Sequence, residues 1–254
     1  MRKFYLHIII IVFMGTLFSS CKKETEDLSE MSTGTQFFPL EIGKYILYDV
    51  DSTYWDDFLR AEVVHRSQMR YEVVDSFYND AEKLSYTINI SRRLTANDPF
   101  VADDVIYVTP SDERVVVNQK NLNFIKLVFP VANNTSWDGN AMITSRDRPG
   151  FEQFNNENWN YTYHNYNEPY DPGNNYYENT ITVNQIDDQL NDPDVDSTIY
   201  AYKNFAKEVY AYNVGMIYRE IIYWTFQPKA QGGQGGGSGY RKGYGVIMKA
   251  VENN

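Results

Sequence analysis

Short stretches in which apolar and polar residues alternate recur from Gln36 onward, and patterns with helical spacing are scarce. In the stretch SYTINI, residues 85–90, one face carries Tyr86, Ile88 and Ile90, and the other face carries only polar side chains. Strict alternation of this kind is typical of a strand with one buried face. Similar alternation predicts further strands at residues 45–50, 70–74, 180–183, 216–226 and 244–251.

The segment VIYVTPSDERVVV, residues 105–117, predicts a β-hairpin. Pro110, Ser111 and Asp112 supply turn residues between two runs of β-branched side chains. Strands joined by such a short turn are antiparallel. The pattern as a whole therefore predicts an all-β, antiparallel domain with long loops.

Residues 197–213 are ambiguous between helix and strand. Tyr202, Phe205 and Val209 lie near helical spacing, although part of the same segment also alternates as a strand does. We favour a strand because Gly215 would then turn the chain into the next predicted strand. The helical alternative stays open at this point.

Residues 1–20 have the three parts of an export signal. These are a positive start with Arg2 and Lys3, an apolar run over residues 8–18, and small residues directly before Cys21. The apolar run is too short to cross a bilayer, since a transmembrane helix needs about 20 apolar residues. We therefore expect a signal peptide that is removed.

The stretch LFSSC, residues 17–21, resembles the bacterial lipobox, although Phe18 stands where Leu is usual. Cys21 is the only cysteine, so it cannot form an internal disulfide. A free thiol and an intermolecular bridge are the alternatives to a modified residue. The resemblance implies that Cys21 is lipidated, and its acyl chains would hold the protein on a membrane effectively permanently.

Residues 21–35 begin with this cysteine and continue as a polar segment without apolar periodicity, which is typical of a flexible tether. The acidic stretch KKETED, residues 22–27, resembles the signal that directs Bacteroidetes lipoproteins to the outside of the outer membrane. An ordinary solvated linker is the alternative. The expected organisation is a signal peptide, this tether, and a β domain over residues 36–254.

The charge of the chain bears on its partners. Without Arg2 and Lys3, 21 basic residues face 34 acidic ones, a net charge of −13. So acidic a protein repels phosphate backbones, and no stripe of basic residues reverses this. We expect no nucleic-acid partner.

Two phrases in the chain are similar. FFPLEIGKYILYDV, from Phe37, and LVFPVANNTSWDGN, from Leu127, share an aromatic–Pro–aliphatic core that is followed by Tyr45 or Trp137. They resemble uncharacterised Bacteroidetes lipoproteins whose domains open with an FPLxxGxxW phrase and repeat it midway. The resemblance implies a single curved antiparallel sheet, either a half-barrel or an open barrel, and it implies no activity.

The histidines and the glycine-rich stretch give no support for an active site. His65 and His164 lack metal-ligand spacing, and the chain has no Gly-x-Ser-x-Gly elbow, so we expect solvated or turn histidines. The stretch QGGQGGGSGYRKGYG, residues 231–245, lacks the Gly-Lys-Ser/Thr of a phosphate loop. A long hairpin tip is the better interpretation. No cofactor is expected.

Three aspartates form a weak metal candidate. Asp192, Asp194 and Asp196 have the alternate spacing of a calcium loop, but the central glycine is missing and Lys203 takes the place of the glutamate ligand. We favour an acidic turn without metal.

The tripeptide DST occurs twice and resembles the O-glycosylation signal of exported Bacteroidetes proteins. Its candidate acceptors are Ser52 and Ser197. Because the tripeptide is short, chance occurrence is the alternative.

Residues 151–180 are rich in aromatic residues and asparagine. This composition suits recognition of a glycan or a protein partner, and the candidate ligand-binding residues are Trp159, Tyr161, Tyr163 and Tyr166. The alternative, which we favour, is a long insertion between strands.

Together these patterns predict an outer-membrane lipoprotein, exposed at the surface, with a non-enzymatic β domain that binds a ligand, an envelope protein or a glycan. One alternative is a lipid or lipoprotein carrier with an apolar cavity. A second is a glycan-acting enzyme that uses two of the 34 carboxylates.

Overall fold

The computed structural model describes residues 33–143, 159–173, 175–229 and 239–254. The signal peptide, Cys21, most of the tether and part of the glycine-rich stretch lie outside these residues. A 3₁₀ turn, Thr35–Phe37, precedes the strands. The strands are β1 (Tyr45–Asp56), β2 (Ala61–Tyr78), β3 (Leu84–Arg93), β4 (Val101–Pro110), β5 (Arg114–Gln119), β6 (Leu122–Val128), β7 (Ser136–Asp138), β8 (Asn160–Tyr170), β9 (Tyr177–Leu190), β10 (Ala201–Ala211), β11 (Gly215–Gln227) and β12 (Tyr240–Asn253).

The described strands form one twelve-stranded antiparallel sheet in the order β6-β5-β4-β3-β2-β1-β12-β11-β10-β9-β8-β7. Strands that are neighbours in sequence pair with each other, except that β6 and β7 form the two edges of the sheet; β1 also pairs with β12. The sheet curves until it is nearly closed into a barrel, with a seam between β6 and β7. This confirms the predicted all-β fold with a single curved antiparallel sheet.

The seam between β6 and β7 is bridged by a few specific hydrogen bonds. Ile125 N–H donates to the carbonyl of Gly139 at 2.8 Å, and the Trp137 indole donates to the Ile125 carbonyl at 2.8 Å. The Tyr163 hydroxyl accepts from the Val128 N–H and donates to the Val128 carbonyl, both at 2.9 Å. Polar backbone groups at the two sheet edges thus find partners across the seam.

The similar phrases noted in the sequence lead into the first strand of each half of the sheet and include its first residues. The first leads into β1 through Gly43, and the second leads into β7 through Asn134, with φ angles of 94° and 66°. Glycine and asparagine are the residues that most readily adopt this left-handed backbone. The phrase therefore marks the start of each set of six consecutive strands.

All the strands predicted from alternation are confirmed, and residues 201–211 are a strand and not a helix. The predicted hairpin is also confirmed, with Ser111 at its turn between β4 and β5. The expectation of an inter-strand insertion is wrong for residues 160–170, which form β8 within the sheet. Within this strand, Asn165 and Asn167 adopt positive φ angles and interrupt the pairing with β9. Residues typical of turns can therefore occur inside a strand where the ladder is irregular.

The interior of the barrel is filled by side chains from both halves of the sheet. Its largest fully buried members include Tyr48, Tyr161, Tyr163 and Tyr210. At one end the N-terminal segment covers this core, since the ring of Phe37 meets the ring of Tyr212 edge-on at 5.7 Å. Within the described part of the chain, no helix has the length and apolarity that a membrane span requires.

Candidate functional site

A network of three charged side chains lies inside the barrel. Glu208 in β10 is fully buried, and its Oε1 accepts hydrogen bonds from Lys126 Nζ at 2.7 Å, Arg219 Nε at 2.8 Å and Arg219 Nη2 at 2.5 Å. Its other oxygen, Oε2, accepts from the Tyr210 hydroxyl at 2.6 Å. We refer to Lys126, Glu208 and Arg219 as the charged network.

The strand ladders explain how these side chains meet. Glu208 and Arg219 are direct partners in the β10–β11 ladder, so both point to the same face. Lys126 approaches from β6, where Val115 pairs with Leu127 and Val116 pairs with Ile125. Lys126 is therefore the extra residue of a β-bulge, a feature that commonly redirects a side chain.

The charged network has one more positive than negative group near neutral pH. Burial alone would raise the pKa of Glu208, but Lys126 and Arg219 lower it to about 2. Burial lowers the pKa of Lys126 to about 8, and Glu208 opposes this only in part. Burial also acts to lower the pKa of Arg219, but Glu208 raises it above its ordinary value. At pH 7 one carboxylate therefore faces two cations.

A cavity of about 80 Å³ adjoins the charged network, and we refer to it as the end cavity. Lys126 and Arg219 form part of its wall, beside apolar side chains such as Ile88 and Ile106. Phe38 and Val214, from the segments at the covered end of the barrel, also line it. An engineered apolar cavity of about 150 Å³ holds benzene, so this space suits a small group.

The outer face of the barrel carries a separate, shallow groove of about 800 Å³ across β2 to β6, which we refer to as the outer groove. The exposed rings of Phe77 and Tyr107 meet edge-on there at 5.8 Å. Asp75, Asn79 and Asn118 are among the polar residues beside them. Aromatic rings next to amides and carboxylates are suited to stacking on and hydrogen bonding to polar ligands.

The four aromatic residues predicted to bind a ligand are mainly part of the core. Trp159, Tyr161 and Tyr163 are 6%, 1% and 0% exposed and share one face, as the alternation predicts. Tyr166 is half-buried and packs against Phe37. None of the four lines the end cavity. Their role in ligand binding stays a prediction.

The acidic candidate for a metal site lies in the loop between β9 and β10. Asp192 accepts the backbone N–H of Asp194, Asp196 accepts that of Thr198, and Asp194 accepts a hydrogen bond from Arg241 at 2.8 Å. Within the described residues, no three His, Cys, Asp or Glu side chains form a group that could hold a metal ion.

The remaining candidates differ in exposure. Ser197 is exposed in the β9–β10 loop, whereas Ser52 is half-buried within β1. A glycan therefore has better access to Ser197, and modification of either serine stays a prediction. His65 is exposed in β2 and His164 is half-buried in β8, so both lie in strands and neither lies in a turn.

Sequence reasoning missed the charged network, although a signal was present. Lys126 stands in the apolar run FIKLV, and Glu208 stands directly between Ala206 and Tyr210 on the buried face of its strand. A charge at a core position of a strand is rare unless it is paired. Its presence indicates a partner elsewhere in the interior.

No protein-family model matches the chain, and no curated protein matches it either. Among solved structures, the chain is similar to a Bacteroides fragilis protein that is inferred to be exported and has a YmcC-like fold, with 10% identity and a TM-score of 0.38 over 86% of this chain and 98% of that one. It is also similar to an inferred lipoprotein from Parabacteroides distasonis, with 12% identity and a TM-score of 0.36 over 86% and 98% of the two chains. TM-scores this low do not establish a common fold.

Proposed function

We propose that this protein is a lipid-anchored envelope protein whose barrel binds a small ligand in the end cavity, without acting as an enzyme. The observation that carries this proposal is the position of Lys126 and Arg219 in the wall of an otherwise mostly apolar cavity. Small-molecule sites combine apolar walls with a few polar groups that orient the ligand. The end cavity has this combination.

The energetic cost of the charged network supports a functional role. Burying ions costs several kcal/mol each, and replacing a buried ion pair by apolar side chains of similar volume is often neutral or stabilising. A network with one carboxylate and two cations is a poor device for stability alone. A ligand with a negatively charged group would pair with the second cation.

The size of the end cavity favours a small ligand over a whole lipid. Pockets for drug-sized molecules are about 300–1,000 Å³, and the end cavity is about 80 Å³. Tyrosines and aliphatic side chains occupy much of the described interior. The geometry therefore favours a binding protein over a carrier that encloses acyl chains.

The location of the protein is proposed from its N-terminal sequence. The lipobox resemblance at Cys21 supports an anchor in a membrane, and the KKETED stretch supports display on the outside of the outer membrane. Protease added to intact cells should then remove the domain. Protection of the domain until the outer membrane is opened would place it on the periplasmic side.

Native mass spectrometry of the purified protein tests the binding proposal. Val214 is half-buried in the wall of the end cavity, so Val214→Trp should fill the space at little cost to the fold. Val195→Trp is the matched control, because Val195 is 85% exposed in the β9–β10 loop.

We expect a small molecule to accompany the wild type and Val195→Trp, and to be lost from a folded Val214→Trp variant. Equal retention by all three proteins, or no bound molecule in any of them, would contradict binding in the end cavity.

A second candidate function is glycan binding in the outer groove. Phe77 and Tyr107 are 37% and 44% exposed and lie beside polar side chains, which favours this alternative. Tyr107→Ala should weaken retention on an immobilised glycan array if the groove is used. An unchanged array profile would remove this candidate.

A further inference from the structure

We propose that the ligand of the end cavity is a small carboxylate with an apolar body, whose carboxylate group binds Lys126 and Arg219. This inference rests on the function proposed above and specifies the chemical class of the ligand. Three features support this ligand class: the charge balance of the network, its remaining hydrogen-bond donors, and the polarity of the cavity wall.

The charge balance inside the barrel leaves one cation without a counterion in the network. Glu208 accepts from both Lys126 and Arg219, and all three of these hydrogen bonds end on its Oε1. A buried charge is costly unless it is paired. A monoanion beside the two cations would make the charged network electrically neutral.

The donors needed to bind such an anion are present. A lysine ammonium has three N–H donors and an arginine guanidinium has five, and the bonds to Glu208 use one and two of them. Both side chains line the end cavity. A carboxylate there would form charge-assisted hydrogen bonds, which are about twice as strong as neutral ones.

The remaining wall selects for an apolar body. Ile46, Val73, Ile88 and Ile106 line the end cavity, and Phe38 and Val214 contribute from the covered end of the barrel. The wall also includes Lys44, Asn254 and four tyrosines, Tyr45, Tyr48, Tyr71 and Tyr210. A multiply charged ion such as phosphate would still have to lie against the apolar side chains, which is costly. A divalent cation would be repelled by Lys126 and Arg219. A short carboxylic acid satisfies both parts of the site.

Isothermal titration calorimetry with propanoate and propanamide tests this inference, because both probes are small enough for a cavity of about 80 Å³, have similar shape and differ in charge. The wild type should bind propanoate at least roughly tenfold more tightly than propanamide. Lys126→Met leaves Glu208 and Arg219 as a neutral pair, so the preference for propanoate should largely disappear. Lys207→Met is the matched control, since Lys207 is in β10 but pairs with Glu220 away from the end cavity. It should keep the wild-type preference.

Equal affinities of the wild type for the two probes, or binding of neither probe, would overturn the assignment of the ligand class. The binding function itself would survive that result if mass spectrometry still finds a molecule that Val214→Trp excludes. A preference that persists unchanged in a folded Lys126→Met variant would also overturn the inference.

Discussion

At the scale of single residues, Glu208 holds together two cations that would otherwise repel each other inside the barrel. Glu208→Gln keeps the side-chain shape but removes the negative charge. Loss of one partner from a buried ion pair typically costs about 3–5 kcal/mol. We expect a loss of this size in the free energy of unfolding, measured by urea denaturation.

Glu220→Gln is the control for this measurement. Glu220 lies in β11, pairs with Lys207 at 3.8 Å and keeps 21% of its side chain exposed. Its replacement should cost about 1 kcal/mol or less. Similar losses of stability for the two variants would contradict the claim that Glu208 compensates two buried cations.

The lowered pKa of Lys126 predicts a dependence of stability on pH. In the unfolded chain the pKa of Lys126 returns towards 10.5, whereas in the folded protein it is about 8. Between these values the unfolded state binds more protons, so this residue makes the free energy of unfolding rise with pH. Glu208 and Arg219, the charged groups that face Lys126, do not titrate in this window.

Urea denaturation of the wild type and of Lys126→Met from about pH 7.5 to about pH 9.5 checks this dependence. The difference between the two proteins isolates Lys126 from the exposed groups they share. The wild type should gain stability relative to the variant as pH rises. Parallel pH profiles of the two proteins would contradict a lowered pKa of Lys126 in the folded state.

At the scale of elements, β8 illustrates what the sequence predicts and what it leaves open. The alternation of Trp159, Tyr161 and Tyr163 correctly places them on one face. Alternation cannot say whether that face meets solvent, a ligand or the opposite side of a barrel. That depends on strands far away in the chain, and the structure places the face in the core.

Tyr161→Ala measures the contribution of this face to stability. Tyr161 is 1% exposed, so its truncation should cost about 3–5 kcal/mol and lower the melting temperature sharply. Tyr176→Ala is the control, because Tyr176 is 66% exposed between β8 and β9. An unchanged melting temperature in Tyr161→Ala, together with lost ligand binding, would instead support a role in recognition.

The charged network shows why the site was harder to predict than the strands. Lys126 faces inward through a bulge, and a bulge shifts the period-two pattern by one residue. Lys126 and Glu208 are also 82 positions apart in sequence. Periodicity describes one strand at a time, so it predicted the strands well but could not bring these two residues together.

At the scale of the whole molecule, closure of the sheet joins distant parts of the chain. The β1–β12 ladder pairs Val50 with Met248, and the seam is bridged where Trp137 and Tyr163 contact β6. The predicted strands and the hairpin indicate an antiparallel sheet. The ladder between the first and last strands has no local signal, so the order of the complete sheet could not be predicted from residues alone.

Attachment to the membrane is also a property of the whole molecule, and it is tested at Cys21. Cys21→Ala should prevent acylation and leave an unprocessed precursor or a released form, seen by mass spectrometry and membrane fractionation. Ser29→Ala, in the tether, should behave as the wild type does. A Cys21→Ala protein that fractionates with membranes at the normal mature mass would contradict lipidation.

Binding of a carboxylate in the end cavity is most directly tested by methyl NMR of the folded domain during titration with propanoate. Ile88, Ile106 and Met216 line the end cavity, whereas Ile199 lies in the β9–β10 loop and serves as the reference. Binding should shift the three cavity methyl signals until they saturate, while the Ile199 signal does not move. In Val214→Trp the cavity signals should not shift. Unshifted cavity methyls, or shifts that persist in Val214→Trp, would contradict the end cavity as the binding site.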